Sequence, residues 1–227
     1  SPLTASDATV SIVPAAVSPV TVGNQLIDRA NATDFATAPG VLAPVLVVLP
    51  GAVLPEGTLD SFQVWNQTSN GSSPNPSAGN LFHAYVLRPT ANPNEFTVVF
   101  DSGELTMPPS TNPAGEVASF PADVAVLGGD VIGLYGQGIP VDVGGGSDIL
   151  SYPATANPDG VTPQAPAQNA TLTLGTDPAF PIFSQDRTYS FAAIVTPPGT
   201  GAGGGATATA TVGANGTVTG LTITNPG

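Results

Sequence analysis

Glycine and proline punctuate this chain so densely that no helix of ordinary length fits between them. There are 27 glycines and 25 prolines among 227 residues. Proline removes a backbone donor and glycine raises the entropic cost of order, so each interruption ends a helical run. The segments between them are β-branched and aromatic, and several alternate with a period of two. The expected fold is therefore all-β: a jelly-roll-like antiparallel β-sandwich with a C-terminal β-hairpin appendage.

Strands are expected over residues 8–13, 44–49, 58–66, 81–88, 95–101, 116–120, 124–127, 130–135, 148–152, 171–174 and 188–196. Residues 44–49 form a continuous apolar run, as a strand buried on both faces would. In 81–88, Phe82, Ala84 and Val86 alternate with His83, Tyr85 and Leu87. The Asn92-Pro93-Asn94 turn predicts that this strand and the next form an antiparallel hairpin. Composition changes after Thr196, dividing the chain into an extended segment 1–20, a sandwich body 21–197, a glycine-rich linker 198–205 and a hairpin 206–227. Asn215-Gly216 is the turn signal of that hairpin.

The charge balance narrows the function. Lysine is absent, the cations are Arg29, Arg88 and Arg187, and sixteen acidic residues bring the net charge to -13. Nucleic acid is excluded as a partner, because phosphate binding needs clustered cations. Charged residues make up 8% of the chain, against about 25% in an ordinary domain. A neutral-polar, lysine-free surface resists trypsin-like proteases and suits an extracellular or cell-surface location. Cysteine is absent, which excludes thiolate metal sites and cysteine nucleophiles. A chain this long buries enough core to be exported without disulfides. No run approaches the ~18 apolar residues of a membrane helix, so no membrane insertion is expected. The chain opens on Ser1, and a mature, processed form is expected.

No catalytic motif emerges, and the chain is not expected to be an enzyme. His83 is the sole histidine and lies within a strand, without a G-x-S-x-G elbow elsewhere. Asp101 and Glu104 are close in sequence, but a glycosidase also wants an aromatic cleft, and there is one tryptophan, Trp65. Trp65, Tyr85, Tyr135 and Phe100 are read as core rather than as a sugar platform. Calcium is the cofactor to which the acidic, glycine-rich loops point, since it takes carboxylate and carbonyl oxygens. The candidate ligands are Asp142 and Asp148 around Gly144-Gly145-Gly146, with Asp130 and Asp159. Glycosylation sequons stand at Asn31, Asn66, Asn70, Asn169 and Asn215.

Two resemblances add to this reading. The tail, GGGATATATVGANGTVTGLTITNPG, resembles a glycine/threonine-rich β repeat of bacterial surface and phage-associated proteins. The phrases FHAYVLRPT, EFTVVFDSG, GGDVIGLYGQGIP and RTYSFAAIV give the body the look of a secreted bacterial β-sandwich. A sandwich with a detachable terminal strand is similar in architecture to subunits of extracellular filaments held together by strand donation. That resemblance implies a structural subunit that polymerises with copies of itself. Val212, Val218, Leu221 and Ile223 are then the assembly anchors, and the N-terminal segment is a second candidate donor. The alternative expectation is a secreted carbohydrate-binding or adhesive module with glycan partners.

Overall fold

The structure is a computed structural model and describes residues 9–11, 17–31, 42–68, 76–152, 164–175, 182–198 and 207–225. The strands are β1 (Thr9–Ser11), β2 (Val20–Gly23), β3 (Leu46–Val53), β4 (Gly57–Asn66), β5 (Leu81–Pro89), β6 (Glu95–Thr106) and β7 (Glu116–Val126). They continue with β8 (Val131–Gly136), β9 (Val141–Tyr152), β10 (Thr171–Thr173), β11 (Ile182–Tyr189), β12 (Phe191–Thr196), β13 (Thr207–Val212) and β14 (Val218–Asn225). No helix long and apolar enough to cross a membrane occurs among the described residues.

Two antiparallel sheets build an all-β sandwich. One runs β10-β6-β5-β8-β3-β9-β11 and the other β2-β12-β4-β7. Alternation along the strands decides what lies between them. Phe82, Ala84 and Val86 of β5 join Val47 and Leu49 of β3, Phe62 and Val64 of β4, and Phe191 and Ala193 of β12 in one buried cluster. Aromatic pairs tie the layers: Phe62 lies 6.2 Å from Phe100 of β6, and Phe82 meets Phe120 of β7 edge-on at 5.1 Å. Such pairs add about 0.5–1.5 kcal/mol each beyond their buried area.

The larger sheet is buried on its other face as well. Leu46, Val48, Tyr85, Leu87, Val98 and Tyr135 pack there with Leu172 and Leu174 from the β9–β11 connection. This explains the continuous apolar run at the start of β3, which serves both faces.

Three elements differ from the sequence reading. Residues 116–120 and 124–127 are one strand, because β7 is a sheet edge and Pro121 sits beside a register shift against β4. Asp123 relieves that irregularity with φ of 52°. Residues 188–196 are two strands in different sheets. Ser190 breaks them, its N–H donating to the Pro140 carbonyl at 2.8 Å and its carbonyl accepting from Trp65 N–H at 3.2 Å. The third is β9, which reaches back to Val141 through Gly144, Gly145 and Gly146. A Cβ at Gly146 would run into the Arg187 carbonyl of β11, so only glycine fits this approach.

The chain forms two compact units, residues 19–196 and residues 1–18 with 197–227. Within the second unit, β1, β13 and β14 form a three-stranded antiparallel sheet in that order. Of the glycine-rich linker expected over 198–205, residues 199–205 lie outside the described residues.

Candidate functional site

The terminal sheet unites both segments singled out as strand donors. Thr9, Val10 and Ser11 stand opposite Thr209, Ala208 and Thr207. Strands β13 and β14 are closed by a turn in which Gly216 takes φ of 78° and Gly213 N–H donates to the Thr217 carbonyl at 2.8 Å. The Asn215 side-chain oxygen accepts from Thr217 N–H at 3.3 Å. Neither hydrophobic cluster includes any of residues 208–222. Val218 is 55% exposed and Leu221 64%, while Val212 is partly buried. Ile223 faces Ala208 in register.

Sheet edges expose unpaired N–H and C=O groups, and proteins blunt them with charge, proline, bulges or brevity. The body does so at each edge. β10 and β2 are three and four residues long. β11 carries Asp186 and Arg187 at a register shift, with Asp186 at φ of 67°. β7 carries Glu116, Pro121 and Asp123. By contrast β14 is eight residues long, without charge or proline, and among the described residues its outer edge has no partner strand.

The candidate calcium ligands are held by protein donors. Asp142 accepts from Arg29 Nη1 at 2.9 Å on one oxygen and from Ala30 N–H at 2.9 Å on the other. Asp148 is buried, and one oxygen accepts both from Asn24 Nδ2 and from Tyr189 N–H, each at 2.8 Å. Burial pushes the Asp148 carboxyl up to about 6, against the pull of these donors and of the Arg29 charge. Asp130 is buried elsewhere, gripped by Arg88 Nε at 2.8 Å and Nη2 at 3.0 Å and by Leu127 N–H at 3.0 Å. Asp159 lies outside the described residues. Among the described residues no three His, Cys, Asp or Glu side chains gather as a metal-binding group.

Asp142 and Asp148 thus share one role, anchoring a strap the sequence reading missed. Residues 24–31 cross the body between β2 and the Asn31–Val141 bridge. Arg29 Nε donates to Ser190 Oγ at 2.8 Å and Arg29 N–H to Gln67 Oε1 at 2.7 Å. Trp65 Nε1 donates to Asp28 at 2.7 Å. The available signal was scarcity: with three cations among sixteen acids, each arginine is expected beside a carboxylate.

His83 pairs with Asp101, Nδ1 to Oδ1 at 2.8 Å. A bulge in β6 aims Asp101 there: Gly103 takes φ of 70°, and its N–H donates to the same oxygen at 2.9 Å. Ser102 Oγ accepts from Ala84 N–H and donates to the Gly103 carbonyl, both at 2.8 Å. Glu104 stands opposite His83 in register. The imidazole stacks on Tyr85 at 6.0 Å and meets Tyr135 edge-on at 6.4 Å. Burial raises both phenols, Tyr135 to about 12 and Tyr85 further. Tyr85 is fully buried, and among the described residues its hydroxyl has no hydrogen-bond partner. Tyr85 and Tyr135 are core residues, Phe100 packs on Phe62, and Trp65 covers Gly115.

The sequons are scattered. Asn169 and Asn215 are exposed and Asn31 is partly buried in the bridge to Val141. Asn66 is buried and donates its amide to the Pro108 carbonyl at 2.8 Å, so a glycan there would displace that packing. Asn70 lies outside the described residues. No family model, curated protein or solved structure matches the chain.

Proposed function

We propose that the chain is a structural subunit of an extracellular filament or cell-surface assembly, joined to further copies by β-strand addition at the terminal sheet. The supporting observation is that sheet's incompleteness. It has three strands, none of residues 208–222 belongs to a hydrophobic cluster, and β14 presents an eight-residue uncharged edge. Two or three strands without a packed face are marginal in water. Adding strands satisfies backbone groups and hides apolar side chains together. The body is a separate compact unit with its own core, so it can serve as a rigid block while the terminal sheet makes the joint. The low-charge, lysine-free composition fits an exported, long-lived part of such an assembly.

The test compares the full chain with a variant ending at Thr200, by sedimentation and electron microscopy. The full chain self-associates, and the truncated chain is a folded monomer. A full chain that stays monomeric at high concentration ends this reading. A truncated chain that still assembles moves the joint away from the terminal sheet.

A further inference from the structure

We infer that the outer edge of β14 pairs with β14 of a second copy, antiparallel about a two-fold axis at Leu221, to give a six-stranded sheet. This rests on the strand-addition reading above and names its geometry. The terminal sheet leaves two edges, β1 and β14. Joining β14 to β1 of the next copy would give an open, head-to-tail array. That ladder is limited by β1, which is three residues long, whereas β14 offers eight. Backbone hydrogen bonds supply most of the affinity in strand addition, so the longer ladder forms first. It joins copies in pairs, and the two β1 edges left at the ends of the six-stranded sheet are where further copies of a filament would add.

The side chains point the same way. Leu221 is the most exposed large apolar residue among the described residues, at 64%. On a two-fold axis it stands opposite its own copy, and each leucine buries surface against the other. Cross-strand apolar pairs of this kind contribute on the order of 0.2–1 kcal/mol beyond alanine. Residues Gly220, Leu221, Thr222 and Ile223 hold an unbroken register with Thr211, Ala210, Thr209 and Ala208. The axis therefore falls in the regular part of β14, between its register shifts. No charge in residues 207–225 opposes its own copy across the axis, and self-pairing of a charged edge would place like charges together.

The chain has no cysteine, so single cysteines report pairing without background. In the full chain, Leu221→Cys gives a disulfide-linked dimer under mild oxidation. Val218→Cys does not, because its two copies would be about 20 Å apart along the strands. Leu221→Lys and Leu221→Glu each weaken self-association at least tenfold, and an equimolar mixture restores it. That recovery shows that neither variant has merely misfolded. If Leu221→Cys fails to cross-link while the full chain still assembles through residues 201–227, the two-fold pairing is wrong and strand addition stands. If both cysteine variants cross-link equally, the contact is collisional and the pairing is wrong. A monomeric full chain overturns both.

Discussion

Asn24 donates its side-chain amide to Asp148, 2.8 Å away and 124 positions along the chain. The bond fastens the start of the strap to β9, and it leaves a carboxylate in a place where burial resists its charge. The Asp148 carboxyl rises from 3.8 to about 6. The folded chain therefore holds this proton more tightly than the unfolded chain does, and stability from this group increases as pH falls from 7 through 6 toward 4. The full gain, present below 3.8, is at most ~3 kcal/mol at 1.36 kcal/mol per unit. Glu95 and Glu116 act in the opposite sense. Hydrogen bonds from Thr90 and from Thr111 hold them below 4.5, so their contribution is present above that value and is lost as pH falls through their folded pKa. Urea titrations across pH 3–8 are expected to show maximal stability between 4 and 6. Asp148→Asn flattens the slope between 7 and 4; an unchanged slope would mean that Asp148 does not titrate in this window.

Arg88 grips Asp130 with two nitrogens, and Asp130 is 1% exposed while Arg88 is 43% exposed. Removing the guanidinium strands a buried carboxylate at the β7–β8 turn. Charge-assisted hydrogen bonds are worth about 1.5–3 kcal/mol each way of counting, and solvent at Arg88 screens part of this. Arg88→Met is expected to destabilise the body by ~2 kcal/mol in urea denaturation. Arg88→Lys should recover less than half of that loss, because an ammonium cannot reproduce the two-pronged contact. Equal stability of Arg88→Lys and the parent would reduce the pair to simple charge attraction.

How far the sequence disclosed this architecture depends on what made each element. Alternation in Phe82–Leu87 revealed β5, since burial between layers selects every second side chain. The hairpin with β6 followed from its turn. Strap residues 24–31 show no period, because hydrogen bonds from Arg29, Asn24 and Ala30 hold them rather than a buried stripe. Asp142 and Asp148 stood out as a pair around three glycines, and the sequence pointed them to calcium rather than to the strap they hold. Their donors were not legible, because Arg29 is 113 positions from Asp142 and nothing local links them. The switch of sheets at Ser190 was hidden for a similar reason: β11 and β12 are both rich in β-strand formers, and only the packing separates them.

Cation removal tests the same carboxylates. Asp142 engages both oxygens with protein donors, and Asp130 is bound by Arg88 and Leu127. A calcium ion needs six to eight oxygen ligands and would have to displace these contacts. Excess chelator is therefore expected to leave the melting temperature of the body unchanged, measured after metal content has been checked by elemental analysis. A drop of several degrees, restored by added calcium, would place an ion in the body and require these carboxylates to rearrange around it.

Tyr85 carries the clearest local cost in the core. Its hydroxyl is buried without a partner among the described residues, although His83 stacks on its ring and Asp101 faces it across the β5–β6 ladder. A buried polar group left unpaired costs about 1–3 kcal/mol, and replacing it with an apolar group of the same shape recovers part of this. Tyr85→Phe keeps the ring that packs with Leu46, Leu87 and Tyr135 and removes only the hydroxyl. The variant is expected to be as stable as the parent or more stable by ~1 kcal/mol. Tyr85→Ala, which opens a cavity instead, is expected to lose about 3–5 kcal/mol, as truncation of a buried aromatic does. Should Tyr85→Phe lose more than 1 kcal/mol, the hydroxyl has a partner such as a buried water, and the His83–Asp101 pair would be the place to look for it.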